Sequence, residues 1–498
     1  MRPFPPSPPV SRSASRAVAV ATLVCVLVLL VPATALGGTM FNLVGRGFGH
    51  GIGLSAWGAF GYAEKTDLTY KQILRHYYQG IGFGKTSNVS IQVLLNRGLS
   101  RVEVSSDAQF TIAGSKKSFT VPRYTVATIR WDADTKAYRI AWGDKHENLG
   151  SAPTCEAGDE PLKMQQPNMN AGSGGMHYRN KLWVRHYSDG LMVVNKLALE
   201  LYLRGVLPCE VPASWPRTAL RVFAVACRTY AVRSRRAGPF DVYCTTASQV
   251  YNGYDRERAP TNQAIDDTSG EIATYGGRPI LACFSSTSGG HTESIQYGWP
   301  GASPVPYLRG VPDPYERQDP TYAHGSPYHI WPENPIRLSA SSVESKVGGI
   351  PGSLRTIYVV KRGVSPRVVY AYVVGSAGSR RIDGLQLRAQ LALRSSWVYI
   401  PTMSIARSRA RVPSGGSVRM SGRIYPARPA GATVKLHIQS GGVTRTRAVR
   451  TYRHSQSLPN GSAARYSAYS CRLQPGVTTT YWYSSGSSIS PKMSVTVY

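Results

Sequence analysis

Acidic side chains are scarce in this sequence. It has only 27 aspartates and glutamates among 498 residues, against 58 lysines and arginines, and its formal net charge is +31 at pH 7. Such a charge attracts polyanions by electrostatic steering and counterion release. The basic residues are scattered and mostly arginine, without the dense lysine run of a nucleic-acid-binding tail, so we expect no nucleic-acid partner.

Several sequence signatures of enzymes and metal sites are also missing. No Cys-x-x-Cys pair and no His-Glu-x-x-His occurs, so a standard zinc site has no direct support. The stretch Gly45–Ser55 has only pieces of a dinucleotide-binding fingerprint, and Gly53–Gly58 has the wrong spacing for a Gly-x-Ser-x-Gly nucleophile elbow. We therefore expect no cofactor and no bound metal.

One long apolar run is present, and it lies at the N-terminus. Arg12 and Arg16 precede Ala17–Val31, and Pro32 and the small-residue triplet Ala33–Ala35 follow it. This order is typical of a secretory signal cleaved after Ala35, whereas an uncleaved membrane anchor would need a longer run. Residues 1–35 thus predict a secreted protein of the cell wall or the extracellular space that meets the membrane only through its signal.

Export changes how the cysteines are interpreted. Cys25 would leave with the signal, and an even number would remain: Cys155, Cys209, Cys227, Cys244, Cys283 and Cys471. An even number in an oxidising compartment favours disulfides, although the sequence does not choose among the pairings. We expect disulfides and no free thiol.

The hydrophobic patterning predicts an α+β protein rich in short strands. A large unit with a few helices covers 40–402, and regularly spaced strands over 406–498 predict a small C-terminal β-sandwich associated with the wall. The large unit has four parts: a glycine-rich module at 41–80, a β-rich part at 87–195, a core at 196–320 and a closing β part at 321–402.

Local signals predict individual elements. Ser55 caps a helix through Ala63, and Thr69 with Gln72 forms the capping box of a second helix that ends at Gly80. Further expectations are a helix at Pro216–Arg236, a short helix near Asn262–Thr268, an exposed loop at Ser151–Gly175 and a strand at Leu385–Leu393.

The first candidate for chemistry is Glu210. The segment Leu197–Tyr230 places it in a proline-bounded turn before a helix, among mostly apolar residues. A glutamate held against apolar side chains resists ionisation, so its pKa is expected to rise toward neutrality, as a general acid and base requires. The alternative is a surface glutamate that merely precedes a helix.

The second candidate is His50. Five glycines within nine residues surround it, and they let the backbone adopt positive φ angles and approach a ligand closely. A purely structural turn is the alternative.

A third block combines Tyr243–Gly253 with Ser285–Glu293. Its hydroxyls, amide and exposed backbone suit the many donors and acceptors of a sugar, and Trp215, Tyr251 and Trp299 could supply faces for pyranose rings. A polar turn with core aromatic residues is the alternative.

Together these blocks resemble the SpoIID/LytB family, bacterial proteins linked to sporulation and to enhancement of wall amidases. The resemblance covers roughly residues 41–400. The residues that carry it are Gly47–Ser55, Glu200–Val206 with Glu210–Trp215, Ala224–Ala231, Gln249–Gly253 and Ser288–Glu293. It implies a SpoIID-like catalytic domain, and a lytic transglycosylase whose catalytic glutamate matches Glu210.

Three departures from the family pattern stand out. The glycine block comes first here rather than last, which suggests a circular permutation that is tolerable if the old termini lie close together. Arg221, Phe223 and Ala56 replace the usual Lys and the two Gln. Ser248 stands where zinc-bearing members have Cys, so no zinc is expected.

The resemblance thus implies cleavage of MurNAc–GlcNAc bonds in peptide-stripped glycan strands by Glu210. The expected substrate-binding residues are His50, Ser55, Trp215, Arg228, Gln249, Tyr251, Ser288, Gly289, Gly290, His291 and Thr292. The expected partners are peptidoglycan strands and anionic wall polymers. One alternative is a non-catalytic glycan binder that enhances a cell-wall amidase, and another is a wall adhesin that acts through the β-sandwich.

Overall fold

The computed structural model describes residues 37–170, 174–317 and 325–498. The predicted signal at 1–35 and Cys25 lie outside these residues. Strands account for 42% of the structure and helices for 17%, which confirms the expected β-rich α+β class. Among the helices described, none is both long enough and apolar enough to cross a membrane.

The described chain contains eight α-helices: α1 Ala56–Lys65, α2 Tyr70–Tyr77, α3 Leu199–Glu210, α4 Arg217–Arg233, α5 Ala259–Asp267, α6 Ile295–Gly298, α7 Ala340–Val347 and α8 Gly384–Gln390. The Ser55 hydroxyl caps α1 by accepting from the Gly58 N–H, and α2 begins with the predicted capping box of Thr69 and Gln72. The predicted helices at 216–236 and 262–268 are present as α4 and α5.

Two sheets share one apolar core with helices α1 to α5. The strands of the seven-stranded sheet are, in spatial order, Val242–Tyr243, Ser90–Leu99, Gly190–Ala198, Lys181–Tyr187, Thr154–Glu156, Phe110–Ala113 and Ser118–Val121. Those of the six-stranded sheet are Lys145–Leu149, Ala137–Trp142, Ala127–Asp132, Val102–Ser106, Leu162–Met164 and Met176–Tyr178.

The largest sheet joins the start of the described chain to the C-terminal strands, because Gly37–Gly45 pairs with Thr402–Arg407. Its strands follow in the order Ile336–Ser339, Gly37–Gly45, Thr402–Arg407, Val418–Tyr425, Ala463–Leu473, Val443–Ser457, Thr433–Ser440, Thr479–Ser485, Met493–Val497 and Arg411–Val412, with Val398–Tyr399 and Ser488–Ile489 at its sides. The strands after 402 pack around their own apolar cluster.

Three small sheets complete the described fold. One pairs Arg278–Pro279, Glu271–Tyr275 and Gly82–Lys85, and another pairs Leu354–Arg362, Val368–Gly375 and Ser379–Asp383. The third is the short parallel pair of Leu54–Ser55 with Phe284–Ser285. This last pair connects the glycine-rich module to residues 283–293, which we call the serine-rich segment.

The prediction of a turn around Glu210 is wrong, since Glu210 is the last residue of α3. Within α3 the buried residues recur at helical spacing: Leu199, Tyr202, Leu203, Val206 and Leu207. Their burial in the core outweighs the helix-breaking effect of Pro208, which lies near the end of the helix.

Two further predictions of local structure are wrong. Leu385–Leu393 is not a strand, because Asp383 and Gln386 form a capping box that begins α8. Ser151–Gly175 is not one exposed loop, because it contains the strands Thr154–Glu156 and Leu162–Met164.

The expected disulfides are absent from the described residues, where all six cysteines are free. Cys155, Cys227, Cys244 and Cys283 are buried in the main apolar core and pack there as small apolar side chains. Burial raises the pKa of the Cys155 thiol to about 12, so it stays protonated and unreactive. The even number of cysteines in the sequence therefore does not indicate disulfide bonds in this structure.

Candidate active site

Four glycines in Gly45–Ser55 adopt positive φ angles, a conformation that other residues rarely adopt: Gly47, Gly49, Gly51 and Gly53. The block runs beside residues 283–293, to which it is joined by a parallel strand pair and two bridges. A Cβ atom at Gly53 would lie 2.3 Å from the Cys283 carbonyl oxygen. This close approach of two backbones brings His50 next to the serine-rich segment.

Two buried charges hold these segments together. Arg367 is fully buried and donates to the Ser288 carbonyl oxygen at 2.6 Å. Glu316, also fully buried, accepts from the Ser55 hydroxyl at 2.9 Å and from the Gly289 N–H at 2.7 Å. Because hydrogen bonds to charged groups contribute about 1.5–3 kcal/mol each, Ser55, Ser288 and Gly289 are parts of a rigid support.

Glu210 lies at the C-terminal end of α3 and is only partly exposed. Its Oε1 atom accepts one hydrogen bond, from the Val250 N–H at 3.1 Å, and within the described chain no cation forms a salt bridge with it. Burial raises the pKa of Glu210 from 4.5 to about 7, and the single N–H lowers it only in part. The negative end of the helix dipole also disfavours the carboxylate.

Glu210 and His50 line one open cleft of about 500 Å³. Helices α3, α4 and α8, the glycine block, the loop 246–248 and the serine-rich segment all contribute to it. The lining residues are Phe48, Gly49, His50, Glu210, Tyr230, Thr246, Ala247, Ser248, Cys283, Phe284, Ser285, Ser286, Trp299 and Arg388. Hydroxyl groups and aromatic rings of this kind bind sugars through hydrogen bonds and ring stacking.

His50 forms a neutral wall of the cleft. Burial, together with the positive charges of Arg367 and Arg388, lowers the pKa of His50 from 6.5 to about 4. Its Nδ1 atom accepts from the Ile52 N–H at 2.9 Å, which assigns the ring proton to Nε2. The ring centroid lies 5.5 Å from that of Trp299. His50 therefore shapes the site and does not exchange protons near pH 7.

Charge in the cleft is confined to two of the lining side chains, Glu210 and Arg388. Arg388 lies on α8 and donates from Nε to the Leu393 carbonyl oxygen at 3.3 Å. Glu293, the carboxylate at the end of the block Ser285–Glu293, is fully buried, accepts from the Ser365 hydroxyl at 2.6 Å and lies outside the lining. One carboxyl group and one guanidinium group thus face the occupant of the cleft.

Most of the other predicted binding residues make contacts within the protein. Trp215 packs its ring centroid 5.2 Å from that of Trp57. Arg228 is fully buried and makes a bidentate ion pair with Glu200, with N–O distances of 2.8 and 2.7 Å. Both residues lie outside the cleft lining, and the Arg228–Glu200 pair joins α4 to α3, the helix that ends at Glu210.

The remaining predicted residues also lie beside the cleft and not in its lining. The Tyr251 hydroxyl donates to Asn195 at 2.6 Å, and the Thr292 hydroxyl accepts from the Val311 N–H at 2.8 Å. Gln249 is almost fully buried. The last three occupy the turn held by Arg367 and Glu316: Gly289, Gly290 and His291.

Sequence reasoning did not assign a role in binding to Phe48 or Tyr230, although both lie in the motif blocks, and it missed Arg388, which lies outside them. The capping box of α8 was a readable signal for a helix that carries Arg388. No sequence signal showed that this helix reaches Glu210, because α3 and α8 are far apart in the chain.

Comparison with known proteins finds a family match that covers the segment carrying Glu210. The family described as "SpoIID: Stage II sporulation protein" matches residues 187–275, which include Glu210, α4 and α5. The "Amidase enhancer" of Bacillus subtilis is 41% identical over 116 residues, or 23% of this chain and 16% of that protein. These matches support membership of the SpoIID/LytB family.

Two other relatives extend the comparison. "Stage II sporulation protein D" of Bacillus subtilis is 31% identical over 184 residues, covering 33% of this chain and 53% of that protein. An uncharacterized protein of Brachyspira hyodysenteriae is 44% identical over 141 residues, covering 28% of this chain and 38% of its own. The chain thus spans about half or less of the length of these curated relatives. No solved structure matches it.

Proposed function

We propose that this protein is a peptidoglycan lytic transglycosylase that cleaves MurNAc–GlcNAc bonds in the wall outside the cell, with Glu210 as both acid and base. The observation that carries the proposal is a lone carboxyl group with a pKa of about 7 in the lining of an open cleft. A carboxyl group with a pKa near the working pH can give a proton and then take one back.

The chemistry needs only this one group. Protonated Glu210 donates its proton to the glycosidic oxygen as the bond from that oxygen to the muramoyl C1 breaks. The resulting carboxylate accepts the proton of the muramoyl C6 hydroxyl, whose oxygen bonds to C1 and closes a 1,6-anhydro ring. Glu210 ends protonated, and no water is consumed. Hydrolases normally place a second carboxylate nearby, and the described lining of this cleft has none.

The cleft also suits the substrate. Trp299, Tyr230 and Phe48 offer ring faces to pyranose units, and Ser285 and Ser286 place hydroxyl groups between them. Arg388 supplies a positive charge in the same lining. When the stem peptide has been removed, the lactyl group of muramic acid ends in a free carboxylate, which a guanidinium binds well. This charge supports a preference for peptide-stripped strands.

The test is digestion of peptide-free glycan by the purified protein, with anhydromuramic ends measured by mass spectrometry. Glu210→Gln keeps the shape of the side chain but removes the titrating proton, so anhydro ends should fall by at least about a hundred-fold while glycan binding remains. Glu64→Gln, an exposed glutamate on α1, is the matched control and should retain full activity. Equal release of anhydro ends by Glu210→Gln would overturn the proposal.

The match to an amidase enhancer favours a second function, in which the same cleft binds glycan and stimulates a cell-wall amidase without cleaving the strand. Purified protein would then release no anhydro ends. It would raise the rate of an added wall amidase, and Glu210→Gln would do so equally well. That result would replace the enzymatic function with the enhancer function.

A further inference from the structure

The C-terminal part of the chain carries positive charge without compensation. The last acidic residue is Asp383, and residues 406–498 contain twelve arginines, two lysines and no Asp or Glu. Of the salt bridges between described residues, the one furthest along the chain is Arg394–Glu333. These cations therefore have no carboxylate side chain to neutralise them and present a persistent positive field.

Part of this charge surrounds a hollow of about 550 Å³ on the face of the largest sheet. We call it the arginine hollow and define it by Arg355, Arg419, Arg423, Tyr425 and Tyr452, which line it. It is separate from the Glu210 cleft, and the two linings share no residue.

Small side chains on adjacent strands make the hollow. Ser421 lies opposite Ala406 on one side and Ser470 on the other, and Arg423 lies opposite Ala468. Large side chains in place of these serines and alanines would fill the space above the sheet. The small residues thus form a floor that bears hydroxyl groups, and the arginines and tyrosines rise around it.

Hydrogen-bond donors dominate the arginine hollow. The Tyr425 side chain is 2% exposed, and its hydroxyl has no hydrogen-bond acceptor among the described residues. Burial raises the pKa of Tyr425, and Arg423 and Arg355 lower it only in part, so the hydroxyl keeps its proton and can donate it. Guanidinium groups only donate, so the hollow offers several donors to a ligand, and the Tyr425 hydroxyl lacks an acceptor. An anion with several oxygens would supply what is missing.

We propose that the arginine hollow binds the phosphate groups of a linear polyol or saccharide wall polymer. Guanidinium groups from two different strands and a tyrosine hydroxyl can approach a tetrahedral phosphate from several sides, and the hydroxyl-bearing floor and Tyr452 suit the polyol or sugar between phosphates. The inference takes from the proposed function only that the protein meets wall polymers. It adds a second site, which holds the protein on the wall while the Glu210 cleft works.

The test is binding of poly(glycerol phosphate) to the purified protein, followed by fluorescence anisotropy at several salt concentrations. The triple variant Arg355→Gln, Arg419→Gln, Arg423→Gln should weaken binding by about ten-fold or more and reduce the slope against log salt. The matched control Arg445→Gln, Arg447→Gln, Arg450→Gln removes the same charge from exposed positions of the strand Val443–Ser457 that do not line the hollow. It should weaken binding by less than about three-fold.

Four outcomes would overturn the proposal. Equal losses in the two triple variants would show diffuse attraction without a site. Polygalacturonate that competes as well as poly(glycerol phosphate) would assign the hollow to carboxylates, and tighter binding of a DNA oligonucleotide, lost in the hollow variant, would assign it to nucleic acid. Dextran that competes equally would show that charge is not recognised.

Glu210→Gln separates this inference from the proposed function. That variant should bind poly(glycerol phosphate) normally while failing to cleave glycan. If the wild-type protein cleaves glycan but does not bind the polymer, this inference is wrong and the proposed function stands. If it binds the polymer through the hollow but cleaves no glycan, the proposed function is wrong and this inference stands.

Discussion

The Glu210 carboxylate accepts one hydrogen bond, from the backbone N–H of Val250 at 3.1 Å. A carboxylate with two or three such donors would have a pKa below its usual range. With one donor and no ion pair in the described structure, burial dominates and the pKa of Glu210 rises to about 7. The first two predictions follow from this balance.

Activity should depend on protonated Glu210. The rate of anhydro-end release, as kcat/KM on peptide-free glycan, should be constant below pH 6 and fall about ten-fold per pH unit above about pH 7, because the acid form is then lost. The Glu64→Gln control should give the same profile. A rate that stays flat to pH 9 would exclude Glu210 as the proton donor.

Glu210→Gln should stabilise the protein at high pH. The raised pKa means that protonation of Glu210 favours the folded state, and this contribution is full below about pH 4.5 and is lost as pH rises through about 7. The variant keeps a neutral side chain at every pH. Its free energy of unfolding should equal that of the wild type at pH 4 and exceed it by up to about 3 kcal/mol at pH 8. Urea unfolding at the two pH values measures the difference, and an equal difference at both would contradict the assigned pKa.

Arg388 should act in substrate binding. Arg388→Gln should raise KM for peptide-free glycan by about ten-fold with a small effect on kcat, and Arg388→Lys should restore part of the affinity. Affinity for chitin oligosaccharides, which have no lactyl carboxylate, should not change. The exposed Arg381→Gln serves as the control. An equal loss of affinity for peptide-free glycan and for chitin oligosaccharides would show that Arg388 only supports the fold.

Arg228 should act in folding instead of substrate binding. Arg228→Met leaves Glu200 without its bidentate partner in a buried setting, so the free energy of unfolding should fall by about 3–5 kcal/mol. Arg217→Met on the same helix breaks an exposed pair with Asp267 and should cost less than about 1 kcal/mol. Thermal or urea unfolding distinguishes the two. A stable Arg228→Met protein with impaired glycan binding would instead place Arg228 in the binding site.

Reduction should not affect stability, because the six described cysteines are free. A native disulfide would contribute about 2–5 kcal/mol, so its reduction would lower Tm by several degrees. We expect the same Tm with and without dithiothreitol. Alkylation of the denatured, unreduced protein should label all six thiols. Fewer labels would restore the disulfide prediction made from the cysteine count.

The sequence predicts a structural feature well when the interactions that cause it lie within a few residues. The capping box of Thr69 and Gln72 and the Ser55 cap act within four residues, and both helices begin where these residues predict. The turn predicted at Glu210 is wrong because α3 continues through Pro208 to Glu210. The leucines before Pro208 recur at helical spacing. Burial of that apolar face decided the outcome, and burial depends on the rest of the fold.

The division of roles among site residues was less predictable. Five residues of the motif blocks have side chains that contact the protein interior and do not line the cleft as His50 does: Ser55, Arg228, Gln249, Tyr251 and Thr292. Residue type and spacing do not show which side of a turn or helix faces a cleft. Arg388 lies outside every motif and reaches the site only because α8 packs close to it.

The amino-acid sequence by itself determined the chemical capacity of this protein: a glutamate in a mostly apolar segment, glycines where the backbone must turn left-handed, and a large excess of arginine. These properties depend on residue type and near neighbours. Only the tertiary structure decided which groups meet, since Glu210, His50, Ser285 and Arg388 come from four distant segments. It also decided the pKa of Glu210, because burial, a property of the packed molecule, removes water from that carboxyl group.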